Sequence, residues 1–368
     1  MVEGSGELDW VASMWSEGES PIPLSGAGAA DRLAETSRAN GDGTRAAASP
    51  HPRGLRSPSA GDFSAERMLR PEAELPTRGW RLGIYRLTGG LIDVGPSTAE
   101  VRHRELIARA KTPVHGCRKV AFISRKGGVG KTTTCLLTGH TFASLRGDRI
   151  VALDGNPDAG TLGHRVRRET TSTVGTLLQD VDRISRYADI RSYTSQASSR
   201  LEVVAADDDP RITQALGESE FRRAIDLLER HYNLVCLDTG TGVLESATRG
   251  ILDAADQVVV VSAPSLDGSR AASSTLDWLE QNGYGHLVRG AVAVLNTIRN
   301  GNGALDLERV EQHFAARCRD CVRIPWDPHL DAGAEATLDA LRPETRNAYL
   351  ELAAAVAAGF GDPIERRS

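Results

Sequence analysis

The chain predicts an α/β protein, a doubly wound, mostly parallel sheet with helices on both faces, preceded by a disordered N-terminal region. Three observations carry this prediction. From about Lys119 to about Gly361, short runs of Val, Leu and Ile alternate with longer amphipathic stretches. Several of those runs are almost continuously apolar, as strands are when a parallel sheet is covered on both faces. The first run leads into a glycine-rich turn that opens a helix, at the carboxyl end of a strand, where such sheets bind ligands.

Taken in order, residues 1–76 are dominated by Gly, Ala, Ser, Pro, Arg and acids, with few β-branched side chains. Such a segment cannot bury enough apolar surface to offset its ordering entropy, so it reads as a disordered tail. Within it Trp10, Val11, Met14 and Trp15 fall at helical spacing. They read either as a chance apolar cluster or as an anchor for a partner's groove. Residues 77–114 form an amphipathic docking segment and a linker helix. In RGWRLGIYRLTGGLIDVGP, Trp80, Ile84 and Leu87 share a helical face among Arg78, Arg81 and Arg86. That face either packs back on the globular domain or docks on a membrane surface or a partner. Ala99 to Lys111 reads as a short charged helix.

The core, residues 115–362, predicts strands at Val120–Ser124, Ile150–Asp154, Leu201–Ala205, Leu234–Asp238, Gln257–Ser262, Ala291–Asn296 and Val322–Pro325. Helical patterns lie between them near Thr132–Leu145, Val174–Val181, Glu218–Tyr232, Ser246–Ala254, Ser269–Gln281, Leu307–Ala316 and Pro343–Gly359. Residues 363–368 read as a short tail.

Composition narrows the function classes. The formal net charge of −5 gives no electrostatic case for nucleic-acid binding by the chain as a whole. The first residues show no basic segment followed by an apolar one, so no signal peptide is expected, and no apolar run approaches a bilayer's thickness. The five cysteines form no disulfide framework, and a reducing cytoplasm is the expected compartment. Cys318 and Cys321 make a C-x-x-C pair, read as an ordinary reduced pair or as half of a zinc site shared between two subunits.

The chemistry concentrates in Ser124-Arg125-Lys126-Gly127-Gly128-Val129-Gly130-Lys131-Thr132-Thr133. The Gly127-Gly128-Val129-Gly130 turn lets successive backbone N–H groups face an anion, and the following helix adds its positive dipole end. Lys131 is placed for β- and γ-phosphates, the Thr132 hydroxyl for Mg²⁺ and Thr133 for the α-phosphate. The chain has only four lysines against forty arginines, and two of the four stand five residues apart here. An ammonium is a point charge that fits among phosphate oxygens, whereas a guanidinium is a planar fork. Two later strands end in aspartate, at Asp154 and Asp238, and carboxylates beside a phosphate loop suit Mg²⁺ and its waters. An apolar run ending in Asp is by itself more often a plain strand end.

The string K-G-G-V-G-K-T, with Arg125 where the general phosphate loop has glycine, resembles the deviant loop of the MinD/ParA family of P-loop ATPases. The resemblance extends from about Lys119 to Gly361 through three spaced signatures, and it implies ATP and Mg²⁺ as ligands. It also implies an ATP-dependent homodimer, in which Lys126 reaches across to the partner's phosphates. Asp154 matches the first carboxylate of the family's D-x-D-P signature. Asn156 stands where the second carboxylate positions and activates water. An amide orients water but cannot take its proton, so the resemblance supports binding more than hydrolysis, and Asp158 is a neighbouring carboxylate. Asp238 matches the Walker B position. Asn296 matches an adenine contact, and Pro325-Trp326-Asp327 the turn that closes the adenine pocket.

The segments GWRLGIYRLTGG, HGCRKVAFISRKGGVGKTTT and DGNPDAGTLGHRV together resemble the MinD-like, EspI-like ATPases associated with type VII (ESX) secretion in actinobacteria. That narrower likeness implies a partner among secretion-system components, and a cytoplasmic protein that meets the membrane only peripherally. A cell-division MinD would carry a basic membrane helix at its end, and a partition ParA a basic DNA-binding surface; neither pattern is present, and DNA binding is not indicated. The expected function is an ATP-hydrolysing switch; its alternatives are a slowly turning nucleotide-bound scaffold, or a chromosome- or plasmid-partition or cell-division-site ATPase.

Overall fold

The computed structural model describes residues 86–88, 95–156, 160–242, 246–298 and 305–362. The tail with Trp10 and Trp15, most of the 78–96 segment, Asp158 and residues 363–368 lie outside the described residues. Every element named here belongs to the unit Glu72–Ser368.

The first described helix, α1 (Thr98–Ala110), starts where the Ser97 hydroxyl accepts from the amide of Glu100 at 3.2 Å. There follow β1 (Arg118–Ile123), α2 (Lys131–Leu145) and β2 (Ile150–Gly155). A 3₁₀ turn, Leu162–Arg165, precedes α3 (Val174–Gln179), and a second, Val181–Arg183, precedes α4 (Tyr187–Arg191), β3 (Ser195–Gln196) and β4 (Glu202–Val204). Next come α5 (Pro210–Ala215), α6 (Glu218–Glu229), β5 (Leu234–Thr239), α7 (Ser246–Ala254) and β6 (Gln257–Ser262). The remainder is α8 (Leu266–Gln281), α9 (Gly285–Arg289), β7 (Val292–Asn296), α10 (Leu307–Ala315), β8 (Asp320–Ile324), α11 (Pro328–Asp331) and α12 (Pro343–Ala357).

The strands form one eight-stranded sheet in the order β3-β4-β2-β5-β1-β6-β7-β8. Every pairing is parallel except β3 with β4. The predicted doubly wound sheet is therefore the observed one, and successive residues of a strand serve opposite cores. Val120 and Phe122 of β1 face the side covered by α1, α2 and α12, with Leu136 and Tyr349. Ala121 and Ile123 face the other side, with Leu228 of α6 and Leu276 of α8. Burying a side chain such as Phe122, which is fully shielded, contributes about 1.5–3 kcal/mol.

Differences from the sequence expectations have local causes. β1 begins at Arg118, two charged residues before the apolar run, because both side chains find partners inside the fold. The Lys119 ammonium lies 3.2 Å from Glu229 and 3.3 Å from Asp256, and Arg118 Nη2 donates to the Phe360 carbonyl at 2.8 Å. α8 starts at Leu266 rather than Ser269, since the Ser265 hydroxyl caps it by accepting from Gly268 N at 3.1 Å. β8 begins at Asp320 and ends at Ile324, one residue short of Pro325. The edge strand β3 and the short helices α4, α5, α9 and α11 show too few residues for a hydrophobic period to appear in the sequence.

Candidate functional site

The site forms where β1, β2 and β5 end together. In register, Asp154 pairs with Asp238, so their carboxyls finish side by side on adjacent strands. The loop after β1 opens with Ser124, whose hydroxyl accepts from Lys126 N at 3.3 Å and donates to the Lys126 carbonyl at 3.2 Å. Gly128 and Gly130 both adopt left-handed backbone, φ 72° and 83°, which side chains disfavour. A Cβ on Gly130 would also collide with the Asn296 side chain. Gly130 stands at the start of α2, its carbonyl accepting from Thr134 N at 2.8 Å and from the Thr134 hydroxyl at 2.9 Å.

Within this loop the two lysines have opposite surroundings. Lys126 is exposed, together with Arg125, Gly127 and Gly128. Lys131 is buried, and its ammonium donates to Asp238 Oδ1 at 2.7 Å and to the Thr239 carbonyl. Val129 and Thr133 are buried and Thr132 is half-buried in the first turn of α2.

Asp154 is buried and held by two backbone amides, Leu162 N to Oδ2 at 2.9 Å and Asn156 N to Oδ1 at 3.3 Å. Burial, and then the charge of Asp238, push its carboxyl up to about 7 against the opposing pull of those amides and Lys131. Asn156 itself is half-buried at the end of β2. The fit to a hard cation rests on one further atom. Asp238 Oδ2 is buried and has no hydrogen-bond partner. A buried carboxylate oxygen left open beside a second carboxylate and a hydroxyl-bearing Thr132 is an oxygen-only donor set of the kind Mg²⁺ takes.

Asn296, at the end of β7, donates from Nδ2 to the Val129 carbonyl at 2.8 Å and so braces the phosphate loop. Asp327 is occupied by its own segment. Its Oδ1 accepts from His329 N at 3.0 Å and its Oδ2 from Arg342 N at 2.9 Å. Burial raises the Asp327 carboxyl, but these amides and Thr345 outweigh it and leave the group below its ordinary value. Pro325 and Trp326 are half-buried beside it, and the Arg342 guanidinium lies 5.4 Å from the Trp326 ring centre.

The structure therefore gathers Lys131, Asp154, Asp238, Val129, Gly130 and Asn296 and leaves Lys126 facing solvent. Sequence reading missed two contributors: the Leu162 amide and Gly160. A Cβ at Gly160 would strike the Asp154 carboxylate, so the glycine in D-x-N-P-D-A-G is where the chain folds back over that group. Cys318 and Cys321 carry thiols that burial pushes up to about 11 and about 12, a direction that disfavours thiolate ligands.

A glycine-rich loop at a strand end, a buried lysine in the first helical turn and two strand-end carboxylates define a P-loop NTPase. Comparison with known proteins agrees. An AAA domain family matches residues 117–282. EspI, an ESX-1 secretion-associated protein of Mycobacterium tuberculosis, is 39% identical over 285 residues, covering 77% of this chain and 42% of that protein. The chain thus spans less than half the length of that curated relative. A ParA family ATPase from Chlorobium tepidum superposes with a TM-score of 0.56 at 17% identity, over 65% of this chain and 98% of that one. The MinD protein of Pyrococcus horikoshii complexed with Mg-ADP gives a TM-score of 0.52 at 17% identity, over 64% and 94%. The fold is that of the MinD/ParA P-loop ATPases, and over 285 residues the chain is similar to EspI.

Proposed function

We propose that this chain is an ATP-binding, ATP-hydrolysing molecular switch that forms an ATP-dependent homodimer and regulates a partner complex. The observation that carries the reading is the contrast between two lysines of one loop. Lys131 is buried against Asp238, at the place where β- and γ-phosphates enter a P-loop. Lys126 is exposed on the outer rim, where its ammonium is available to phosphates held by a second copy. Mg²⁺ would be held by Thr132 and Asp238, with Asp154 acting through water, and it would supply charge neutralisation at the phosphates. The residues of the chain do the rest. Gly127 to Gly130 present amides, Thr133 meets the α-phosphate, and Asn296 braces the loop beside the base, with Pro325 and Asp327 behind it.

Asn156 favours a second reading, a nucleotide-bound scaffold that scarcely turns over. Its amide orients water but accepts no proton, so hydrolysis proceeds without a base at that position. The likeness to EspI supports secretion-system components as the partner, on the cytoplasmic side of the membrane. Among the described residues no helix is long and apolar enough to cross a membrane.

Single-turnover ATP hydrolysis by the native chain and by Asn156→Asp separates the two readings. The scaffold predicts at least about a tenfold gain on restoring the carboxylate. Equal rates dispose of it. For the dimer, light scattering with ATP should show two copies for the native chain and one for Lys126→Ala, with ADP binding retained. A variant that still dimerises removes the role given to Lys126.

A further inference from the structure

At the amino end of the sheet, away from the phosphate loop, the fold leaves a second cavity of about 210 Å³. It lies where β1 and β6 begin and where the chain leaves α12, with Arg118, Lys119, Asp256, Gln257, Arg319 and Asp362 in its lining. Open parallel sheets place their usual ligand sites at the other end, so this cavity needs its own account. Specific contacts draw its walls together. Gln257 Nε2 donates to the Gly290 carbonyl at 3.0 Å, and Arg319 Nη1 donates to the Ala358 carbonyl at 3.3 Å. Gly359 permits the close approach, since a Cβ there would lie 3.1 Å from the Gln257 side chain.

The charges lining this cavity do not balance. Four are cations, Arg118, Lys119, Arg289 and Arg319, and two are carboxylates, Asp256 and Asp362. Both carboxylates are taken. Asp256 Oδ2 lies 3.3 Å from the Lys119 ammonium and accepts from Lys119 N at 2.8 Å, and Asp362 Oδ2 accepts from Arg319. Arg118 is left over. Its residue is only 6% exposed, and it makes no ion pair among the described residues. Its Nη2 donates to two neutral carbonyls, that of Phe360 at 2.8 Å and that of Asp362, and its buried Nε has no partner. Carbonyls near a helix end offset part of a positive charge, but a guanidinium shielded from water without a counter-ion stays costly.

We propose that this cavity is a binding site for a small oxyanion of the phosphate type, with Arg118 as its buried counter-charge and Arg289 and Arg319 at its rim. An oxyanion accepts two parallel N–H bonds from one guanidinium and further bonds from a second, which suits a wall of arginines. Lys119 is already matched by Asp256 and Glu229, so the anion answers to the arginines alone. Arg118 belongs to β1 and holds the Phe360 and Asp362 carbonyls, so an anion on it ties the start of β1 to the chain beyond α12. The consequence is a ligand that stabilises the domain from the end opposite the phosphate loop. The inference does not depend on the nucleotide-site reading.

The test is melting of the full chain in inorganic phosphate against sodium chloride of equal ionic strength. The native chain should gain at least about 3 °C, with the gain saturating at millimolar phosphate. A phosphate loop also takes this ion, so Lys131→Met is measured alongside and should keep the gain. Arg118→Met should lose it. Arg289→Gln changes an exposed side chain and should need several-fold more phosphate for the same gain, which decides the matter if Arg118→Met does not fold. The proposal is overturned by the absence of a saturable gain in the native chain, by a gain that Arg118→Met retains or Lys131→Met loses, or by an unchanged midpoint in Arg289→Gln. A rise that never saturates and is shared by every variant is exclusion of the ion from the protein surface, and it overturns the proposal too. If phosphate acts only on Glu365→Gln, a carboxylate of the chain itself fills the cavity and the oxyanion site falls.

Discussion

The two ends of β1 and its neighbouring strands bury charge in opposite ways. At the amino end, Arg118, Lys119, Arg289 and Arg319 lie with Asp256, Glu229 and Asp362. Lys119 is bracketed by Glu229 and Asp256, and Arg319 bonds Asp362. Arg118 Nη2 and Arg319 Nη1 also take up carbonyls of Phe360 and Ala358 beyond the last turn of α12, where helix carbonyls lack intrahelical partners. At the carboxyl end, the one bonded ammonium goes to Asp238, Asp154 is held by backbone amides alone, and one Asp238 oxygen is left open. Paired charge holds the fold, and the open carboxylate oxygen waits for a ligand. Breaking the paired end should therefore cost stability and nothing else. Lys119→Ala is expected to destabilise the domain by about 3–5 kcal/mol, because it strands buried carboxylates. Urea unfolding measures the loss, and nucleotide affinity of the surviving folded fraction should be unchanged. A matching loss of affinity would mean that the two ends are not separable.

Titration sharpens the contrast by a smaller amount. Burial raises the Asp256 carboxyl against the pull of Lys119, whereas Asp154, beside Asp238, is pushed up to about 7. A carboxyl raised in the folded state holds a proton that the unfolded chain has already released. Its contribution to stability is complete below the unfolded value near 3.8 and is lost as pH rises through about 7. His140 works in the other direction. Burial lowers it to about 4, so its contribution is lost as pH falls from about 6.5 towards 4. Comparing the native chain with Asp154→Asn cancels the histidine. Between pH 5 and 7 the variant should gain on the native chain by on the order of 2 kcal/mol, read from urea unfolding without divalent cations. Parallel pH profiles would show that Asp154 is ionised throughout.

Legibility followed the same division. The phosphate loop, Asp154 and Asp238 could be read directly, because glycines in sequence and acids at strand ends are local signals. The sheet was legible wherever both faces of a strand are apolar, as in Gln257–Ser262, whose observed limits are those expected. Arg118 and Lys119 hid the start of β1, since their partners lie far along the chain at Glu229, Asp256 and Phe360. Gly160 was visible as a letter but not as a requirement, because only folding brings the Asp154 carboxylate over it.

The smallest effect separates two roles of Asn296. The resemblance to MinD/ParA proteins assigns it to the adenine, while the structure shows its Nδ2 on the Val129 carbonyl at 2.8 Å, against Gly130. Losing that hydrogen bond is worth about 1 kcal/mol, so Asn296→Ala should weaken nucleotide binding about fivefold. The size of the loss does not distinguish base from loop, but its dependence on the base does. Inosine triphosphate keeps the phosphates and replaces the 6-amino group of adenine with a carbonyl oxygen. If Asn296 acts through the loop, the variant loses ATP and inosine triphosphate affinity by the same factor. If it reads the base, the native preference for ATP shrinks in the variant. Equal loss would make Asn296 part of the phosphate-binding end, recruited from β7 to hold in place a turn whose own glycines cannot fix it.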